Sequence, residues 1–189
     1  MIGDTAPYVT RQVTSDGMTG TTPRDVVGWG AHASRRHFRT GIRGKGPIVA
    51  TTRSAHTVWE GNLLEGSGIV TFDSSGIGQQ PVSWPSRAEQ ANGKTSPEEL
   101  IAAAHSSCFS MALSHGLAGA GNPPTKLVTS ADVTFQPGEG ITGIHLTVEG
   151  EVPGLDEQGF QAAAEDAKKN CPVSQALTGT TITLTAKLA

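Results

Sequence analysis

From residue 49 onward the chain switches between two hydrophobic periods. Leu127–Phe135 and Ile141–Val152 carry apolar residues at roughly alternate positions, and Gln136-Pro137-Gly138-Glu139-Gly140 separates them as a turn. Such period-two runs predict half-buried strands. Thr180–Leu188 alternates Thr with Ile182 and Leu184 and predicts another. Ala55–Glu60 and Gly68–Phe72 are shorter. The first is rich in β-formers (Thr57, Val58, Trp59), and a glycine-containing turn separates the two, which predicts a hairpin. Asp73-Ser74-Ser75-Gly76 is a turn, and Gln79–Trp84 predicts a further short strand before Pro85.

Two stretches follow the helical period instead. Ser96 suits an N-cap, Pro97 the first helical position, and Glu99 completes an S-x-x-E capping box. Leu100–Leu117 beyond it is Ala-rich and apolar almost all round, which predicts a buried helix. A second helix is predicted over Asp156–Lys169, with Phe160, Ala163, Ala164 and Ala167 on one face. Cys171-Pro172 ends it, and Pro172 opens a short helical piece over Val173–Leu177. Strands, helix, strands, helix, strand is the order of an α+β fold with mostly antiparallel pairing. A central helix this apolar needs cover on several sides, and one small sheet covers only one. The expectation is a homodimer whose subunits share their central helices.

The length, 189 residues, allows one domain with a real core. Charged residues are 16% and hydrophobic ones 36%, a balance that fits neither a disordered chain nor a membrane protein. No apolar run approaches the ~20 residues that span a bilayer. A formal net charge of −3 argues against nucleic acid as the main partner. The charge is uneven, however. Residues 1–48 hold seven Lys/Arg and three Asp, a balance of +4, and contain neither Leu nor Glu; residues 49–189 hold seven Lys/Arg and fourteen Asp/Glu, a balance of −7. Arg35, Arg36, Arg39, Arg43 and Lys45 form a basic run beside Gly and Pro. Residues 1–48 therefore read as a poorly ordered basic arm. A targeting peptide and a tail for an anionic surface are two accounts of it. A third, which we favour, is translation from an upstream start: Gly44-Lys45-Gly46 back-translates to a purine-rich ribosome-binding sequence, and Val49 fits a GTG start codon. The folded domain is expected over residues 49–189.

The two cysteines, Cys108 and Cys171, are too few for a disulfide scaffold and form no C-x-x-C pair, which argues against structural zinc. Cys108 lies mid-helix in His105-Ser106-Ser107-Cys108-Phe109-Ser110-Met111, where its plain reading is a small buried hydrophobe. Cys171 opens a helical turn, a place that can lower a thiol pKa; its plain reading is a helix-end residue of no consequence. Together they suggest a dithiol, in which one thiolate attacks a peroxide O–O bond and a second thiol condenses with the sulfenic acid. A mid-helix thiolate gains nothing from a helix terminus and needs a nearby cation. Arg87 is one of only two arginines after residue 48, with Arg53; an exposed loop Arg is the bland alternative. Glu98 precedes Cys108 by ten residues, ~15 Å along one helix. It reaches a Cys108 sulfur only across a dimer; otherwise its charge simply favours the helix N-terminus. His105, one turn before Cys108, reads more readily as a core or interface histidine than as a base. His56, His115 and His145 lack metal-ligand spacing, and no G-x-S-x-G, G-x-G-x-x-G or G-x-x-x-x-G-K-[ST] motif occurs.

The run Thr95-Ser96-Pro97-Glu98-Glu99-Leu100-Ile101-Ala102-Ala103-Ala104-His105-Ser106-Ser107-Cys108-Phe109-Ser110-Met111-Ala112-Leu113, together with Cys171-Pro172-Val173-Ser174-Gln175-Ala176-Leu177, resembles the OsmC/Ohr family of thiol-dependent organic hydroperoxide peroxidases. His105, Phe109-Ser110-Met111 and the Val173 after Cys-Pro are closer to the OsmC branch. The similarity covers about Thr51–Leu188. It implies an intertwined α+β homodimer, with antiparallel sheets wrapped around central helices. It also implies that Cys108 is the peroxidatic cysteine, that Cys171 resolves it through an intrasubunit disulfide, that Arg87 activates the thiolate and that Glu98 partners Arg87. The implied activity is reduction of organic hydroperoxides to alcohols, in the cytoplasm, in oxidative or osmotic stress defence. No cofactor or metal is expected, only an external dithiol reductant such as a lipoylated protein or a small thiol. The substrate pocket is expected to be apolar, lined by Phe109 and Met111. Two rival readings stay open: a Cys108-dependent acyl or ester hydrolase, which does not need Cys171, and a redox-inert binding dimer, which needs neither thiol.

Overall fold

The computed structural model describes residues 49–189; the expectations for the basic arm fall on residues 1–48, outside the described residues. Three short strands, β1 (His56–Glu60), β2 (Ser67–Thr71) and β3 (Gln79–Ser83), make an antiparallel sheet in chain order. His56 lies opposite Thr71 in the first pair, and Ser67 opposite Ser83 in the second. The chain then winds into α1 (Trp84–Ala88), a helix absent from the sequence expectation, where Trp84 was the end of a strand. Five residues are too few to display a helical repeat. Its start is a reciprocal capping box: Ser83 Oγ accepts from the Ser86 N–H, and Ser86 Oγ accepts from the Ser83 N–H.

The long helix α2 (Pro97–Gly119) begins at the predicted cap, with Ser96 Oγ accepting from the Glu99 N–H at 3.2 Å. The returning half of the expected capping box is missing. The Glu99 carboxylate accepts instead from the Thr95 hydroxyl at 2.6 Å, a charge-assisted bond that competes for the same side chain.

A second sheet follows, in the order β4 (Lys126–Gln136), β5 (Gly140–Glu151), β6 (Thr181–Leu188). Strands β4 and β5 form a long antiparallel hairpin, irregular at Thr134/Phe135, as the two alternating runs predict. Strand β6 joins β5 in parallel, with Gly143 opposite Thr181. Parallel neighbours need a crossover, supplied by α3 (Glu157–Asn170) and α4 (Pro172–Ala176). Three of the four strand pairs are thus antiparallel, which makes this the α+β fold expected.

The core lies between α2, α3 and the inner face of the second sheet. Phe109, Leu113 and Leu117 meet Leu146, Val148, Val152, Phe160, Ala164 and Ala167 there. Strand β5 makes room for the Phe160 ring with a glycine: a Cβ on Gly150 would lie 2.5 Å from it. Among the described residues helix α2 is covered on one side only, as expected of a helix packed on one small sheet. Beyond the buried Glu98 in its first turn, its buried residues His105, Phe109, Leu113 and Leu117 recur every four positions, a single stripe. Ala103, Ala104, Ser107 and Met111 are exposed, Met111 by 67%. Among the described residues the second sheet, α3 and α4 reach only one side of the helix. Among the described residues no helix is long and apolar enough to cross a membrane.

Candidate active site

The two cysteines meet at the end of the core. Cys171 closes α3 and is the N-cap of α4, with φ −63° and ψ 120°. Its place before Pro172 explains this, because a residue ahead of proline is pushed out of the helical region. Cys171 is fully buried and Cys108, on α2, is part-buried; both are free thiols. They are close enough for each to act as a hydrogen-bonding neighbour of the other.

Their surroundings split them. Burial pushes the Cys108 thiol above its ordinary value; the Val173 N–H pulls against it, and Cys171 alongside pushes the same way as burial. Burial alone would raise Cys171 too. The Ser174 N–H, the Cys108 thiol, the Ser174 hydroxyl and the Val173 N–H together outweigh it and hold Cys171 below its ordinary value. Neither amide closes a capping hydrogen bond on the sulfur; they act as nearby dipoles that favour negative charge. Within one chain, therefore, the buried thiol is the more acidic and the accessible one the less.

Arg87 and Glu98 form a second cluster. Arg87, on α1, donates from Nε at 3.0 Å and from Nη2 at 2.8 Å to the same oxygen, Glu98 Oε1, in the first turn of α2. The face of the guanidinium lies 4.1 Å from the centre of the Phe135 ring, and Trp84 packs edge-on to that ring at 6.0 Å. Glu98 is buried, and its Oε2 has no hydrogen-bond partner among the described residues. Glu98 and Cys108 are ten residues apart on one continuous helix, ~15 Å. The structure thus brings together Arg87 with Glu98 and Cys108 with Cys171, and keeps the two pairs apart within a chain. No cation among the described residues favours the Cys108 thiolate.

His105 is wholly buried one turn before Cys108. Its Nε2 lies 2.8 Å from Ser174 Oγ on α4, and its Nδ1 has no partner among the described residues. Burial holds its pKa below the ordinary 6.5, so the ring is neutral. Ser174 and Phe135 escaped the sequence reading. Ser174 carries one local signal, its place at the third position of a helix capped by Cys171. Phe135 carries none, because its contact with Arg87 crosses from one sheet to another element.

Beside Arg87 opens an apolar cavity of about 410 Å³, walled by Trp59, Leu63, Val70, Val82, Trp84 and Leu100. It is not the pocket expected from the sequence. Phe109 is fully buried in the core, and Met111 borders a different, more open groove with Ser114 and His115. No cluster of three or more His, Cys, Asp or Glu among the described residues is arranged to hold a metal ion.

Comparison with known proteins adds to this geometry. A family model described as OsmC-like protein matches residues 90–187. Over 122 residues the sequence is 47% identical to Peroxiredoxin OsmC of Escherichia coli (strain K12), covering 63% of this chain and 85% of that protein. Peroxiredoxin OsmC of Shigella flexneri matches equally well. Among solved structures, an organic hydroperoxide resistance protein from Elizabethkingia anophelis superposes with a TM-score of 0.58 at 26% identity, over 75% of this chain and 99% of the other. An OsmC-like protein from Mycoplasma pneumoniae gives the same TM-score at 17% identity, with 75% and 99% covered.

Proposed function

Because the chain belongs to the OsmC-like protein family, on its OsmC branch, and is a peroxidase-type oxidoreductase, we propose that it reduces organic hydroperoxides to alcohols, with Cys108 peroxidatic and Cys171 resolving. One observation carries this reading: an accessible thiol on α2 touches a buried, acidified thiol at the start of α4. The Cys108 thiolate attacks the distal peroxide oxygen. The O–O bond breaks, the alkoxide leaves and takes a proton to become the alcohol, and Cys108 becomes a sulfenic acid. The Cys171 thiolate then displaces hydroxide, which takes a proton to become water, and a disulfide closes within the subunit. An external dithiol, a lipoylated protein or a small thiol, reduces it again.

Cys108 needs a cation for the first step, and Arg87 of its own chain is bound at the far end of α2. We assign the task to the partner subunit's Arg87 in a homodimer. The exposed side of α2 at Ala103, Ala104 and Ser107 is built of small residues, which permit close approach of a second helix. Two copies crossing there carry the Arg87–Glu98 pair of one subunit to Cys108 of the other. The unpartnered Glu98 Oε2 fits a site that one chain leaves incomplete. The apolar cavity beside Arg87 then receives the alkyl group, which favours organic hydroperoxides over hydrogen peroxide. We place the peroxidase domain in residues 49–189 and its action in the cytoplasm, in oxidative or osmotic stress defence.

The test treats the reduced full chain with one equivalent of an alkyl hydroperoxide and maps its thiols by mass spectrometry. The expected products are one alcohol and one Cys108–Cys171 disulfide within a chain. Thiols that stay free, with an activity that survives Cys108→Ser, would overturn the reading in favour of a redox-inert dimer or another chemistry.

A further inference from the structure

His105 takes no part in the steps above, yet it is the largest buried polar side chain of the core. Its neutral ring carries one N–H. Were that hydrogen on Nδ1, a buried donor would be left with nothing to bind. On Nε2 it donates to Ser174 Oγ at 2.8 Å and leaves only a bare lone pair on Nδ1. An unpaired buried donor is the rarer and costlier of the two, so the Nε2–H tautomer is favoured. The Ser174 oxygen is then occupied as an acceptor, and its own proton is left to point elsewhere. Ser174 lies three residues beyond Cys171, in the first turn of the helix that Cys171 caps, and its hydroxyl is one of the groups that favour negative charge on the sulfur. His105 on α2 is thus hydrogen-bonded to Ser174 in the first turn of α4, the turn that Cys171 caps.

We propose that His105 is a positioning residue for the resolving step: its Nε2–H aims the Ser174 hydroxyl at the Cys171 sulfur and so speeds the attack of that sulfur on oxidised Cys108. The inference rests on the assignment of Cys108 and Cys171 as a peroxidatic and resolving pair. The bonds made and broken are those of disulfide closure, S–S formed and S–O broken, with hydroxide leaving. His105 and Ser174 exchange no proton with the products; they hold the nucleophile charged and oriented.

The test follows a single turnover of the full chain after one equivalent of an alkyl hydroperoxide. A dimedone adduct counts the Cys108 sulfenic acid and thiol loss counts the disulfide. Ser174→Ala and His105→Phe each remove one link, and each is expected to slow disulfide closure about ten-fold, the size of one hydrogen bond to a charged group. The double variant is expected to be no slower than Ser174→Ala, because His105 acts only through Ser174. His105→Gln, whose side-chain amide can supply a donor near the Nε2 position, is expected to recover most of the rate. Should His105→Phe fail to fold, Ser174→Ala and His105→Gln decide. Closure at the wild-type rate in these variants, or additive losses in the double variant, would overturn the inference alone. A wild-type chain that forms no disulfide would remove the pair assignment and this inference with it.

Discussion

The Arg87 guanidinium has little freedom. One carboxylate oxygen takes two of its N–H groups, and an aromatic face covers its plane. A fixed fork of this kind presents a directed charge, which a flexible lysine at the same place would not. His105 is fixed in a different way, by complete burial. Burial disfavours the charged ring and lowers its pKa below 6.5. As pH falls through 6.5, the unfolded chain takes up a proton that the folded chain refuses. Stability is therefore unaffected by this residue above that pH and is lost below it, with a slope of up to about 1.4 kcal/mol per pH unit for one proton. Urea denaturation between about pH 7.5 and 5.5 is expected to show this loss in the wild-type chain and a flatter profile in His105→Phe. Equal slopes in the two proteins would show that the buried ring is protonated as readily as a free one.

At the scale of elements, the site depends on one break and one close contact. The break is Cys171-Pro172, which ends α3, starts α4 and leaves the sulfur at the junction. The close contact is strand β5 against α3, where the Phe160 ring sits on the backbone of Gly150. Read locally, a glycine in a strand signals weak β propensity; its packing role belongs to a helix that comes later in the chain. Phe160 is fully buried, and an added Cβ would press on its ring edge at 2.5 Å. Gly150→Ala is expected to cost about 1–3 kcal/mol by overpacking, measured as a lower urea midpoint at unchanged slope. An unchanged midpoint would mean that the ring can shift and that the core here is looser than the structure shows.

At the scale of the whole molecule, the question is which subunit supplies the cation. The described residues of one chain hold a dithiol without a cation and an Arg87–Glu98 pair without a thiol. If the proposed homodimer joins them across its interface, two defective chains can repair one another. Arg87→Ala chains keep Cys108, and Cys108→Ser chains keep Arg87. Refolded together in equal amounts, half of the dimers are hybrids with one complete site each, so activity should recover to about a quarter of wild type. Each variant alone should be nearly inactive. If the mixture shows no more activity than the sum of its parts, Arg87 and Cys108 act within a single chain, or the two chains do not share sites.

Much of the fold was legible because its elements are local. Period-two runs are enough to specify β4, β5 and β6, and Ser96-Pro97 starts α2 wherever the helix goes, since a cap and a period are properties of neighbouring residues. The short helix α1 was not legible, because one turn has no period. The incomplete cover of α2 was legible, but which of its residues stay exposed was not: apolar composition says that a surface should be buried but not by which chain. The residues of the candidate site were visible as candidates from their chemistry and their resemblance to a family. Their contacts were not. Arg87 meets Glu98 across 11 positions, and His105 meets Ser174 across 69. The first pairing follows from the turn between α1 and α2, which folds Arg87 back onto the start of α2; the second follows from the crossover through α3 and α4, which brings the start of α4 onto α2. Sequence alone determined the elements, because hydrogen bonding and side-chain period act over a few residues. Tertiary structure decided which thiol is acidic, which is accessible, and which cation is out of reach, because desolvation and charge act through space.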